Sequence, residues 1–249
     1  AAPEGVYRLA ASRMTETTYL PLSETPDGFT ASSNARLIRT VLPEYDAAVL
    51  GPGLGDTEGT QEFVKQILLV DPPLQTTMII DADALNVLAK TNGWWKLLDS
   101  PAILTPHPGE LARLFGSSVE TIQRDRIGSA QRAADHWNQV VVLKGAHTVI
   151  AAPNGKVCIS PFANPVLASA GTGDVLSGVI GGLTAQGLKP YDAAVSGVYI
   201  HGLAAEQASI ELGEAGIIAS DLFPLLPRML QFIRKIHKPQ TQFETYSQN

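Results

Sequence analysis

The stretch Asp46-Ala47-Ala48-Val49-Leu50-Gly51-Pro52-Gly53-Leu54-Gly55 runs from a short apolar segment straight into a glycine-rich loop, and an amphipathic segment over 58–70 follows. A brief apolar run bounded by turn residues reads as a buried strand. Three glycines in five positions exceed what a strand-to-helix turn needs, so the loop is either a tight turn or a place where a ligand approaches the backbone. The unit then recurs. Met78-Ile79-Ile80 ends at Asp81-Ala82-Asp83 before a helix over 84–90, and Ala102-Ile103-Leu104 ends at Thr105-Pro106-His107-Pro108-Gly109-Glu110 where another begins. A longer helix is expected over 121–137, before Val140-Val141-Val142-Leu143 ends at Lys144-Gly145. Strands that are apolar throughout and alternate with helices indicate an α/β fold with a mostly parallel central sheet and helices on both faces.

Farther along, Pro153-Asn154-Gly155 separates apolar runs at 148–152 and 156–159. Asn-Gly between two such runs is a hairpin signal, so an antiparallel edge hairpin should extend the sheet. Helices are expected over 174–187, 191–212 and 220–236, with Pro190 and Pro224 close to helix starts, where proline is tolerated. Before the first repeat unit, the pattern gives a short helix over 3–14, an extended segment at 17–22 and a helix over 35–42. No linker or solenoid repeat interrupts the chain. Residues 1–238 therefore read as one domain and 239–249 as a polar tail.

Composition excludes several function classes. The formal net charge is −6 and no Lys/Arg cluster stands out, which argues against a nucleic-acid surface. No apolar run approaches the roughly 20 residues of a membrane span. The single cysteine, Cys158, rules out an intrachain disulfide, fits a reducing, cytoplasmic setting and reads as a small strand hydrophobe. The five histidines show no pair at metal-ligand spacing, which argues against a protein-held metal such as zinc. Neither a P-loop nor a complete G-x-G-x-x-G is present.

In open parallel sheets the ligand lies beyond the carboxyl ends of the strands. Here Gly51–Gly55, Asp81 with Asp83, Thr105–Glu110 and Lys144–Thr148 all fall at those ends, which argues for one cleft. Each has a bland alternative. Asp81 and Asp83 serve equally as helix caps. His107, between two prolines, is either a structural histidine or a ligand contact. Lys144 is either a solvated lysine or a phosphate contact.

The remaining signal is Asn164-Pro165-Val166-Leu167-Ala168-Ser169-Ala170-Gly171-Thr172-Gly173-Asp174, a loop of small residues feeding an apolar run at helical spacing. Free first-turn amides, the helix dipole and flanking glycines make such a loop an anion site, with Thr172 the expected N-cap. Asp174 is either a dipole-stabilised first-turn carboxylate, its pKa lowered by that field, or a base that accepts a hydroxyl proton during phosphoryl transfer. Gly178, Gly181 and Gly182 weaken the helix that follows, which points to close packing against the sheet or a nucleotide base.

Over about 1–234 the chain resembles the ADP/ATP-dependent NAD(P)H-hydrate dehydratases, a repair-enzyme branch of the ribokinase-like superfamily. The resemblance rests on Gly51-Pro52-Gly53-Leu54-Gly55, Asp81-Ala82-Asp83-Ala84-Leu85, Leu104-Thr105-Pro106-His107-Pro108-Gly109-Glu110, Val142-Leu143-Lys144-Gly145, and Asn164-Pro165 through Gly171-Thr172-Gly173-Asp174. It implies dehydration of the S-form of NADHX or NADPHX to NADH or NADPH, by phosphorylation of the ring hydroxyl and elimination of phosphate. By the same resemblance Gly55, His107 and Asp174 would contact the hydrated dinucleotide, with Asp174 catalytic. Lys144, Gly145, Ala146, His147, Thr148, Gly171, Thr172 and Gly173 would hold ADP or ATP, with Mg²⁺ bridging the phosphates. Val166 and Ala170 stand where the family often has glycine and are expected to narrow the phosphate loop. The family's usual glycine-rich opening segment and first strand would fall before Ala1. Two alternatives share the anion loop: a ribokinase-like kinase of a vitamin precursor or sugar, and a non-catalytic nucleotide-binding module. Apolar helices with small residues allow a homo-oligomer, a tetramer among the options.

Overall fold

The computed structural model describes residues 1–236, so the tail expected at 239–249 lies outside the described residues. At the start, β1 (Ala2–Pro3) and β2 (Pro21–Leu22) pair in parallel around α1 (Glu4–Ala11), and α2 (Asn34–Val41) follows. The main sheet then builds in chain order. Its strands are β3 (Ala47–Leu50), β4 (Thr77–Ile80), β5 (Ala102–Leu104) and β6 (Val140–Leu143), all parallel. β7 (Val149–Ala151) and β8 (Val157–Ile159) complete it as the antiparallel hairpin at one edge. Between the parallel strands run α3 (Glu58–Leu68), α4 (Ala82–Ala89), α5 (Pro108–Phe115), α6 (Val119–Arg124) and α7 (Arg126–Trp137). After the hairpin come α8 (Thr172–Ala185), α9 (Pro190–Leu212) and α10 (Leu225–Ile236).

Period-two alternation assigns the strand side chains to two cores. Ile80, Leu104, Val141 and Leu143 face Phe63, Ile67, Leu85, Leu111 and Trp137 on one side of the sheet. Ile79, Ile103, Val140, Val142 and Ile150 face Leu176, Ile180, Ala194 and Val198 of α8 and α9 on the other. Full burial of such an aliphatic side chain contributes about 1.5–3 kcal/mol, so the two faces together favour this layering strongly over any one-sided arrangement. α9 approaches α8 closely because Gly197 has no Cβ; one added there would lie 2.6 Å from Ile180 Cγ1.

Four local expectations are corrected. β3 is an edge strand, hydrogen-bonded only to β4 among the described residues, so its side chains are incompletely buried and Val49 is 41% exposed. The helix expected over 121–137 is two helices. Asp125 leaves helical backbone between them and accepts from the Gly128 amide, which starts α7 afresh. The helix expected over 220–236 is a 3₁₀ turn at Ala219–Leu222 followed by α10, because Pro224 has no N–H to continue the ladder. Of the three glycines in α8, only Gly181 packs closely, where an added Cβ would lie 3.1 Å from Val49 Cγ2. At Gly178 and Gly182 it would meet nothing. No helix among the described residues is long and apolar enough to cross a membrane.

Candidate active site

The site is built at the carboxyl ends of β3–β6 and at the N-terminus of α8. Gly171 takes left-handed backbone at the N-cap of α8, with φ 85°. Thr172 is not the N-cap that its sequence position suggests. Because it is already helical, its hydroxyl turns back and lies 2.8 Å from both the Leu167 and Ser169 carbonyls, to which it donates. The Gly173 and Asp174 amides consequently have no acceptor among the described residues. Two free amides at the positive end of a helix of fourteen residues form an anion-binding position.

Lys144 leaves the end of β6 and reaches the same place. An added Cβ on Gly173 would lie 3.5 Å from its Nζ. The lysine is neither solvated nor free for phosphate alone, since its Nζ is 2.6 Å from Asp81 Oδ1 and 3.9 Å from Glu110 Oε2. Asp81 does cap α4, accepting from the Ala82 amide at 2.8 Å, but it does more. Its Oδ2 accepts from Ser177 Oγ of α8 at 2.6 Å. One carboxylate, 1% exposed, thus ties β4, β6 and α8 together. Ala82 beside it takes left-handed backbone at φ 47°, a conformation that costs an alanine free energy and clusters at functional sites.

Asp174 is exposed, although neighbouring elements desolvate it in part. Its pKa is raised, not lowered as its helix position suggested: burial disfavours the charge, the Asp81 carboxylate repels it, and Lys144 only partly compensates. His107 N-caps α5, its Nδ1 accepting from the Gly109 amide at 3.0 Å and the Glu110 amide at 3.3 Å. Its ring remains half exposed even though its Nε2 lies 3.5 Å from the buried Glu110 Oε1, so the cap leaves ring surface open to a ligand. Burial pushes its pKa down, helped by Lys144 and Arg113 and opposed by Asp81, which favours the neutral ring. Glu110 completes the capping box with its Oε2 on the His107 amide, and burial pushes its pKa up. At the β3 end, Gly55 has φ +77° and its amide donates to Asp83 Oδ2 at 2.8 Å.

Two cavities flank the first turn of α8. The smaller, about 260 Å³, is lined by Lys144, Gly145, Ala146, Thr148, Thr172 and Gly173, with Phe162, Leu167, Val198 and His201 as the inner wall. The larger, about 760 Å³, opens beside Gly171, Asp174, Gly178, Ile218 and Phe223. Gly55 and His107 lie outside both. The expected single cleft is therefore partitioned by α8. Among the described residues Gly55 is tied only to Asp83 of α4, whereas His107 reaches the neighbourhood of Lys144 through Glu110. His147 turns toward the hairpin, with its Nδ1 3.2 Å from the Ser160 carbonyl, while Thr148 Oγ1 donates to the Gly145 carbonyl. Val166 does not narrow the loop, because it is buried in the core formed with Ala204, Ala205 and Leu222. Ala170 lines the larger cavity.

Some positions that shape the site gave no separate sequence signal. Arg126 fixes the end of β6 by donating to the Leu143 and Lys144 carbonyls. Ser177 and His201 appeared only as helix residues. Glu110 was visible as the acidic residue three positions after a helix start, the signature of a capping box. Among the described residues no group of three His, Cys, Asp or Glu is placed to hold a metal ion.

The model of the NAD(P)H-hydrate dehydratase family matches residues 10–228. The chain belongs to that family. Among curated members, a bifunctional NAD(P)H-hydrate repair enzyme Nnr from Moorella thermoacetica is 43% identical over 231 residues, covering 93% of this chain but 43% of the relative. The chain thus spans less than half the length of that dehydratase-family relative. An ADP-dependent (S)-NAD(P)H-hydrate dehydratase from Bacillus subtilis is 38% identical over 203 residues, covering 82% of this chain and 69% of the relative. The crystal structure of the Bacillus subtilis ADP/ATP-dependent NAD(P)H-hydrate dehydratase, co-crystallised with ATP/Mg²⁺, superposes with a TM-score of 0.75 at 34% identity. It covers 92% of this chain and 76% of that one. A ribokinase-like superfamily protein from Enterococcus faecalis shares the fold, at 24% identity and a TM-score of 0.74.

Proposed function

We propose that the protein dehydrates the S-form of NADHX and NADPHX to NADH and NADPH, using ADP or ATP. The observation that carries this reading is the first turn of α8. There, two unpaired amides and the Lys144 cation adjoin a carboxylate, Asp174, whose pKa is raised by burial and by Asp81. The amides and Lys144 form an electropositive seat for the transferring phosphoryl group. Asp174 accepts the proton of the ring hydroxyl as that oxygen attacks the terminal phosphorus and the nucleotide's bridging bond breaks. The ring then carries a phosphate ester in place of the hydroxyl. Phosphate leaves with the C–O bonding electrons, the ring nitrogen lone pair supports the electron-poor carbon, and loss of a ring proton restores the dihydronicotinamide. Mg²⁺ bound together with the nucleotide would supply charge neutralisation beside Lys144 and the free amides of α8.

In this reading Lys144, Gly145, Ala146, His147, Thr148, Gly171, Thr172 and Gly173 serve the nucleotide, and Gly55, His107 and Asp174 the hydrated dinucleotide. Residues 1–238 act as one domain, in the cytoplasm and as a homo-oligomer. The exposed Ile210, Leu212, Ile218 and Phe223 support assembly. The test is product analysis with ADP or ATP and NADHX. Release of inorganic phosphate in step with NADH supports the dehydratase; accumulation of a stable phosphorylated product supports a kinase instead.

A further inference from the structure

His201 is on α9, 5% exposed, and lines the smaller cavity. Its Nε2 is fully enclosed and has no hydrogen-bond partner. A buried polar atom left unsatisfied costs about 1–3 kcal/mol, so its retention calls for an explanation. The surroundings narrow the answer. On one side stands Thr172, whose backbone hydrogen-bonds the ring and favours its protonated form. Next to Thr172 are the free Gly173 amide and Lys144, the phosphate seat. On the other side the following residue, Gly202, lies under the Phe162 ring, so close that an added Cβ would sit 2.0 Å from Phe162 Cδ2. Phe162, Leu167 and Val198 make this end of the cavity apolar and aromatic, a surface for a flat base. His201 therefore stands between a phosphate position and a base position. In a nucleotide the group between these is the sugar.

We infer that His201 is a specificity-determining residue that hydrogen-bonds a ribose hydroxyl of the adenine nucleotide through Nε2. This rests on the reading of the smaller cavity as the nucleotide site. A neutral imidazole suits the task, since it hydrogen-bonds a hydroxyl without competing for the phosphates, and burial depresses the His201 pKa enough to keep it neutral near pH 7. Nothing charged is needed opposite it, and Phe162 is the one other aromatic ring that lines this cavity among the described residues.

The experiment is calorimetric titration of the full chain with ADP, 2′-deoxy-ADP and 3′-deoxy-ADP, in the wild type, His201→Leu and His201→Gln. The wild type should bind ADP and lose roughly 3- to 10-fold in affinity for one deoxy analogue. His201→Leu should bind ADP weaker by a similar factor and no longer distinguish that analogue, and His201→Gln should recover part of both. If the leucine variant does not fold, ¹⁵N-histidine spectra of the wild type replace it. The His201 ring, assigned by its absence from the His201→Gln spectrum, should shift its Nε2 resonance on adding ADP and not on adding inorganic phosphate. Unchanged ADP affinity in His201→Leu, discrimination retained there, or an unmoved Nε2 resonance overturns the inference alone. A folded wild type that binds no ADP overturns the nucleotide-site reading and this inference with it.

Discussion

The Lys144 ammonium lies 2.6 Å from the Asp81 carboxylate at the floor of the site, and Asp81 is almost completely enclosed. The two residues are 63 positions apart, yet each needs the other. Removing one member of a buried pair strands the remaining charge and typically costs about 3–5 kcal/mol. Asp81→Asn keeps the Ser177 and Ala82 hydrogen-bonding geometry and removes the charge, so it should lose stability toward the lower end of that range. Asp81→Asn with Lys144→Met should recover a substantial part. Denaturant unfolding of the two variants and the wild type measures both; equal stabilities throughout would show the pair to be energetically idle.

Asp174 should be both catalytic and a source of instability. Its raised pKa means that the folded state holds a proton more tightly than the unfolded chain, so stability falls as pH rises from the unfolded value of 3.8 through the higher folded one. Asp174→Asn should therefore melt at a higher temperature than the wild type at pH 7, with the gap closing below pH 4. A variant that melts lower at pH 7 contradicts this.

The same carboxylate sets a pH dependence of turnover. As a base it must be ionised, so activity should fall on acidification with a midpoint above the ordinary carboxylate range. Asp81→Asn removes a repelling charge and should move that midpoint downward. A pH–rate profile of the two proteins checks it; a midpoint that moves up would mean that Asp81 acts there only through Lys144.

His201 has the opposite linkage. Burial depresses its pKa from 6.5 to about 4, so the unfolded chain takes up the proton first and stability is lost as pH falls through that window. The loss should reach about 3 kcal/mol at pH 4. Unfolding free energies of the wild type and His201→Gln between pH 7 and 4 should diverge accordingly, and parallel curves would assign the acid sensitivity elsewhere.

Gly55 is constrained twice. Its φ of +77° is left-handed, and a Cβ there would lie 2.6 Å from Phe29 Cε1. Gly55→Ala should cost about 1–3 kcal/mol and disturb the amide bond to Asp83. Unfolding measurements give the first quantity. An alanine variant of wild-type stability would show that the loop relaxes freely.

What the sequence made legible follows from range. The apolar runs at 78–80, 102–104 and 140–143 and the hairpin at Asn154-Gly155 depend on neighbours in the chain and were read correctly, while α8 starts at Thr172, two residues before the expected 174. The parallel sheet followed from their alternation. Features that depend on distant partners were not legible. Val49 is exposed because β3 is an edge, which no local pattern records. Thr172 has the chemistry of an N-cap but sits one residue too late. Lys144 read as solvated or phosphate-bound because Asp81 could not be placed opposite it. Asp174 was read from its helix position alone, whereas burial and the Asp81 carboxylate, which raise its pKa, come from distant parts of the chain. Val166 looked like a loop residue and is a core residue.

The most direct measurement of the central claim supplies NADHX with ADP or ATP and Mg²⁺ to the protein and follows dihydronicotinamide absorbance. The wild type should restore NADH in a nucleotide-dependent way. Asp174→Asn should restore none while still binding nucleotide. No return of absorbance with either nucleotide from folded wild-type protein would contradict the assignment, and near-normal rates in Asp174→Asn would reduce that carboxylate to a first-turn charge on α8.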